Sequence, residues 1–86
     1  MSEEPRVIDG ADRRRKRFQD MLGFIHNKGG ATGQEIKSFM VIRFGLKHKT
    51  TAEYIHEAHL AGLIASEGIK WFTTSSYKKL AKYLYG

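Results

Sequence analysis

The sequence predicts a mainly α-helical domain with a small β-hairpin, in the order helix, helix, helix, hairpin, helix. Three observations predict it. Apolar residues recur at helical spacing in four stretches. A threonine stands three residues before a glutamate at two points where a helix should start. A Glu-Gly pair separates two short runs suited to strands.

The first helix is expected from Ala11 or Asp12, after a short flexible tail, Met1 to Gly10, with Pro5 and Gly10 as breakers. Phe18, Met21, Leu22 and Ile25 fall at i, i+3, i+4 and i+7, one helical stripe. Asp12 suits the positive end of the helix dipole, and Gly29-Gly30 should stop the helix. The second helix should start at Thr32, which has capping-box spacing to Glu35. Ile36, Phe39 and Met40 point inward, and Gly45 is the expected stop. The third helix follows Lys47-His48-Lys49, with Thr50 and Glu53 repeating the cap spacing and Ile55, Ala58 and Gly62 marking the inward side. Gly62 is the expected left-handed C-terminal residue. Leu63 to Ser66 and Ile69 to Thr73 read as strands, with Glu67-Gly68 as the turn. A last helix should start near Thr74 or Ser75, with Tyr77, Leu80, Ala81 and Leu84 on one face.

At 86 residues the chain supports one domain, expected over residues 11–86, and one small core. The formal charge of +6 favours a polyanionic partner, because cations on phosphates release counterions. With no cysteine there are no disulfides, thiolate zinc sites or cysteine nucleophiles. No apolar run approaches the roughly 20 residues of a membrane span, and the N-terminus lacks the apolar core of a signal peptide. The expectation is a soluble protein of the cytoplasm.

A helix pair joined by a short glycine-containing turn, followed by a hairpin, resembles the winged helix-turn-helix family. The residues that carry the resemblance are Thr50-Thr51-Ala52-Glu53-Tyr54-Ile55, then Gly62-Leu63-Ile64, then Trp71-Phe72-Thr73-Thr74. Many compact prokaryotic and archaeal regulators of this family, with a multiple-antibiotic-resistance-like layout, step from the recognition helix into the first wing strand through Gly-Leu-Ile or Gly-Leu-Val. An apolar-Thr step caps their last helix. The resemblance implies double-stranded DNA binding, with the third helix in the major groove and a short wing on the backbone.

The candidate DNA-binding residues fall into four groups. Arg13, Arg14, Arg15, Lys16 and Arg17 form the densest positive run and suit the phosphate backbone. Lys47, His48, Lys49, Thr50 and Thr51 stand at the start of the third helix, where backbone N–H groups, hydroxyls and cations converge. Glu53 and His56 are candidates for base contact, and Lys70 lies in the wing. Glu53 and Glu57 would repel phosphates unless they sit over bases. His56 and His59 are three apart, not the four that puts two zinc ligands on one helical face, so no metal or other cofactor is expected. No nucleophile–base pair or phosphate-binding glycine loop is present, which argues against an enzyme. The tyrosine-rich last helix suggests a homodimer through Tyr77, Leu84 and Tyr85. Two readings stand beside a transcriptional regulator: a protein-interaction module, with Glu53 and Glu57 facing a basic partner, and a sequence-neutral architectural DNA binder.

Overall fold

The computed structural model describes residues 10–85, and their side chains from 12 to 82. The expected tail, up to residue 9, lies outside the described residues. Four helices surround a small antiparallel sheet in the order α1 (Gly10–Lys28), β1 (Ala31–Thr32), α2 (Gly33–Phe44), α3 (His48–Leu60), β2 (Ile64–Glu67), β3 (Lys70–Thr73), α4 (Ser75–Tyr85). The sheet order is β1-β3-β2, so the second hairpin strand is central.

Gly10, expected as a breaker, is the first residue of α1. The helix ends as its glycines dictate. Gly29 and Gly30 have φ of 74° and 117°, and their N–H groups donate to the carbonyls of His26 and Ile25, both at 3.1 Å. These bonds satisfy carbonyls that a helix end leaves orphaned. Gly30 has a second constraint: a Cβ there would lie 2.8 Å from Cδ1 of Phe72. The chain then runs extended for Ala31 and Thr32, which pair with Trp71 and Lys70. A two-residue strand is too short to show alternation, so no periodicity announces it.

At α2 the capping box forms as expected. The Glu35 N–H donates to Thr32 Oγ1 at 3.1 Å, and the Thr32 N–H donates to Glu35 Oε1 at 2.9 Å. Gly45, at φ 68°, closes the helix with its N–H on the Val41 carbonyl at 2.8 Å. Gly45-Leu46-Lys47 is the whole connection to α3.

The α3 start differs from the expected one. Its N-cap is Lys47, which makes no side-chain cap bond, and Thr50 lies inside the first turn. The Thr51 N–H already donates to the Lys47 carbonyl at 3.0 Å. Burial explains the shift. Tyr54, Ile55 and Ala58 face the core, and position 51, three and four residues earlier, belongs to that stripe. Gly62, at φ 76°, ends the helix as expected: its N–H donates to His59 O and that of Leu63 to Ala58 O, both at 3.0 Å.

The hairpin is offset by one residue from the expected register. Glu67 pairs with Lys70 and Ser66 with Trp71, so Gly68-Ile69 is the loop. Gly68 has φ 64° and Ile69 does not have positive φ, as in a turn that needs glycine only at its first central position. Thr74 caps α4: its Oγ1 accepts from the Tyr77 N–H at 3.4 Å and its hydroxyl donates to Gly62 O at 2.6 Å. The core joins Met21, Leu22 and Ile25 of α1 to Ala31, Ile36, Met40, Tyr54, Ile55, Ala58, Ile64 and Tyr77. No helix among the described residues is long and apolar enough to cross a membrane.

Candidate nucleic-acid interface

The cations of the chain divide into those held by the fold and those left to solvent. Most of the arginine-rich run on α1 is held. Arg14 forms an ion pair with Glu57 of α3. Its guanidinium also lies 4.9 Å from the Tyr54 ring centroid and 5.5 Å from that of Phe18. Those two rings stack at 4.8 Å. The Glu57 hydrogen bond raises the Arg14 pKa further above its ordinary value. Arg15 pairs with Asp12 at 2.8 Å and Lys16 with Asp20 at 3.7 Å. Arg17 lies 5.8 Å from the Phe44 ring centroid, with its Nε buried and without a hydrogen-bond partner among the described residues. Arg13 is exposed and has contacts within the chain.

These contacts differ in strength. An exposed pair such as Arg15–Asp12 is worth at most about 1 kcal/mol, so a phosphate can compete for it. Arg14 would have to give up a carboxylate and two ring faces together. It ties α1 to α3, and the same contact consumes Glu57. Glu53 also lies within the electrostatic reach of Arg14. The acidity of α3 is thus offset from inside the chain.

The cations at the start of α3 are different. Lys47, His48 and Lys49 are exposed, and Lys47 and Lys49 enter no ion pair among the described residues. From Lys49 the outward side of α3 continues through Ala52, Glu53, His56 and Leu60, all exposed and at helical spacing. Thr50 is half-buried. Thr51 is a correction: it is fully buried, its hydroxyl has no partner among the described residues, and it offers no atom to a groove. Lys70 is exposed at the start of the central strand, between Thr32 on one side and Glu67 on the other. Beside it, Ile69 is 81% exposed at the hairpin tip.

The histidines separate. His56 is exposed, while the His59 ring meets Trp71 edge-on at 5.2 Å. Among the described residues no three His, Cys, Asp or Glu side chains converge on a metal-sized site. Trp71 packs on the core and its neighbour Phe72 covers Gly30 from the other face of the strand.

Tyr77, expected in a dimer face, is a second correction. It is buried in its own chain, 5.5 Å from the His26 ring. The side chains of Leu84 and Tyr85 lie outside the described residues. Sequence reasoning passed over the other side of this helix. Lys78, Lys79 and Lys82 are exposed, and the signal was available: no acidic residue follows Glu67. Comparison with known proteins gives no match to a family model, a curated protein or a solved structure.

Proposed function

We propose that this chain is a winged helix-turn-helix protein that binds double-stranded DNA, with α3 in the major groove and the β2–β3 hairpin as the wing. The element order and the β1-β3-β2 sheet are compatible with that layout. One observation carries the reading: Lys47, which ends the three-residue turn, and Lys49, in the first turn of α3, are unpaired among the described residues, while Arg14 and Arg17 of α1 are held by the fold. Lys47, His48 and Lys49 would hold phosphates, His56 and Glu53 would face bases, and Lys70 would hold backbone. Arg13, Arg15 and Lys16 add exchangeable phosphate contacts, whereas Arg14 and Arg17 chiefly brace the helix packing. The biological role that follows is transcriptional regulation without catalysis.

Titration of a labelled duplex at several salt concentrations tests this. Replacing Lys47 and Lys49 with Gln lowers the slope of log K against log salt by about 0.9 per lost phosphate contact. His56→Ala costs roughly 1–3 kcal/mol on the preferred site and changes base preference. Unchanged affinity in both variants removes α3 as the reader. Binding of specific and random duplexes with equal affinity would make the protein architectural.

A protein-interaction module is the second reading. It draws on Leu60, 71% exposed on the outward side of α3, and Ile69 at the hairpin tip. Absence of salt-dependent duplex binding would favour it.

A further inference from the structure

We infer that the lysine face of α4 is a second duplex-binding surface, so that one molecule holds two DNA segments. The inference rests on the proposed DNA reading of α3. Along α4 the inward side is Tyr77 and Ala81, one helical turn apart, which pack on the core. Lys79 and Lys82 fall on the side away from the core and Lys78 on the flank next to them, and all three are exposed. None enters an ion pair among the described residues. The contrast with α1 is informative. There Asp12 and Asp20 neutralise neighbouring cations, whereas α4 contains no acid. Three uncompensated lysines on one helical face repel one another unless a polyanion covers them.

Position separates this face from the cations of α3. The Arg17 guanidinium of α1 lies over Phe44, just before the turn into α3. His26, nine residues on, touches Tyr77 of α4. At 1.5 Å per residue that is about 14 Å along α1. The groove beside α4 gives the same distance: Tyr77 and Leu80 line it with Ala58, near the far end of α3, and Ala61, just after it. Lys49 and Ala58 are again nine residues apart, about 14 Å. In the hairpin, Lys70 stands at the loop end of β3 and α4 leaves from the other end. A duplex seated on the α3 start and the loop end of the hairpin leaves the α4 lysines open to another segment.

A capture experiment tests the inference. One duplex is fixed to beads, the full chain is bound to it, and a labelled duplex of unrelated sequence is added. Anisotropy measures single-duplex binding in parallel. The wild-type chain recruits the labelled duplex. The triple variant Lys78→Gln, Lys79→Gln, Lys82→Gln loses recruitment at least tenfold while single-duplex affinity falls less than about threefold. Lys47→Gln with Lys49→Gln retains weak, salt-dependent duplex binding through α4. Recruitment that survives in the triple variant overturns the inference and points to a dimer with two α3 surfaces. A loss of single-duplex affinity as large as that of the Lys47/Lys49 variant also overturns it, because the lysines then form one continuous surface. So does binding to anionic phosphatidylglycerol vesicles that needs the three lysines, without recruitment of a second duplex. If the α3 double variant keeps full affinity while the α4 variant loses it, the α3 reading fails and the two-segment inference falls with it, because α4 is then the sole duplex surface. If the wild-type chain binds no duplex, both fall.

Discussion

Thr32-Gly33-Gln34-Glu35 and Thr50-Thr51-Ala52-Glu53 carry the same capping pattern at two places in one chain, and only the first closes. The difference lies in what precedes each threonine. Thr32 is held extended, at φ −73° and ψ 161°, by pairing with Lys70 in the sheet. An N-cap residue needs that conformation, so the sheet prepares the cap. Before α3, the extended residue is Lys47, at φ −68° and ψ 153°. The chain has become helical by Thr50, and Thr51 has turned into the core. A capping sequence is therefore an offer, and the entry point of the chain decides whether it is accepted.

The largest way to break the working cap is to move the strand beneath it. Gly30→Ala combines a positive φ with a collision against Phe72. Strain and overpacking together should cost about 2–5 kcal/mol, read as a fall in the thermal midpoint. The cap itself is smaller. Thr32→Ala should cost about 0.5–2 kcal/mol, while Thr50→Ala should stay within about 0.5 kcal/mol. Equal losses from the two threonines, in denaturant unfolding, would show that Thr50 caps after all. Thr51→Val sharpens the contrast with opposite sign. It keeps the shape and removes a buried hydroxyl without a partner, so stability should rise by about 1 kcal/mol. DNA affinity should not move, because the residue never reaches solvent.

The smallest effect is a pH dependence. The Thr32 backbone hydrogen bond, followed by Lys28, at 3.2 Å, holds the Glu35 carboxyl below its ordinary value of 4.5. A depressed folded-state pKa gives stability that is fully present above the unfolded value and lost as pH falls through the folded one. Unfolding measured from neutral pH down through the carboxylate range should show a loss in the wild-type chain that Glu35→Gln lacks.

Local chemistry made most of the scaffold legible. The stripe Phe18–Met21–Leu22–Ile25, the glycine stops at Gly29, Gly45 and Gly62, and the caps at Thr32 and Thr74 all act within a few residues, and the structure contains each of them. The β1 strand was hidden because its partners are 40 and 38 residues away and two residues carry no period. The hairpin slipped by one because Glu67-Gly68 and Gly68-Ile69 both place glycine in a two-residue turn, and pairing across the sheet selects between them.

The candidate site was legible only as an inventory of charge. Sequence alone determined that the chain is basic, that Lys47 and Lys49 stand at a helix start, and that no acid follows Glu67. It could not say which cations are free, because an arginine's partner is fixed by helix packing and not by its neighbours in sequence. Arg14 meets Glu57 across 43 residues, and Arg43 meets Asp20 across 23. Tertiary structure also took Thr51 and Tyr77 from the surface, since burying the apolar stripes of α3 and α4 turns inward whatever else shares their helical phase.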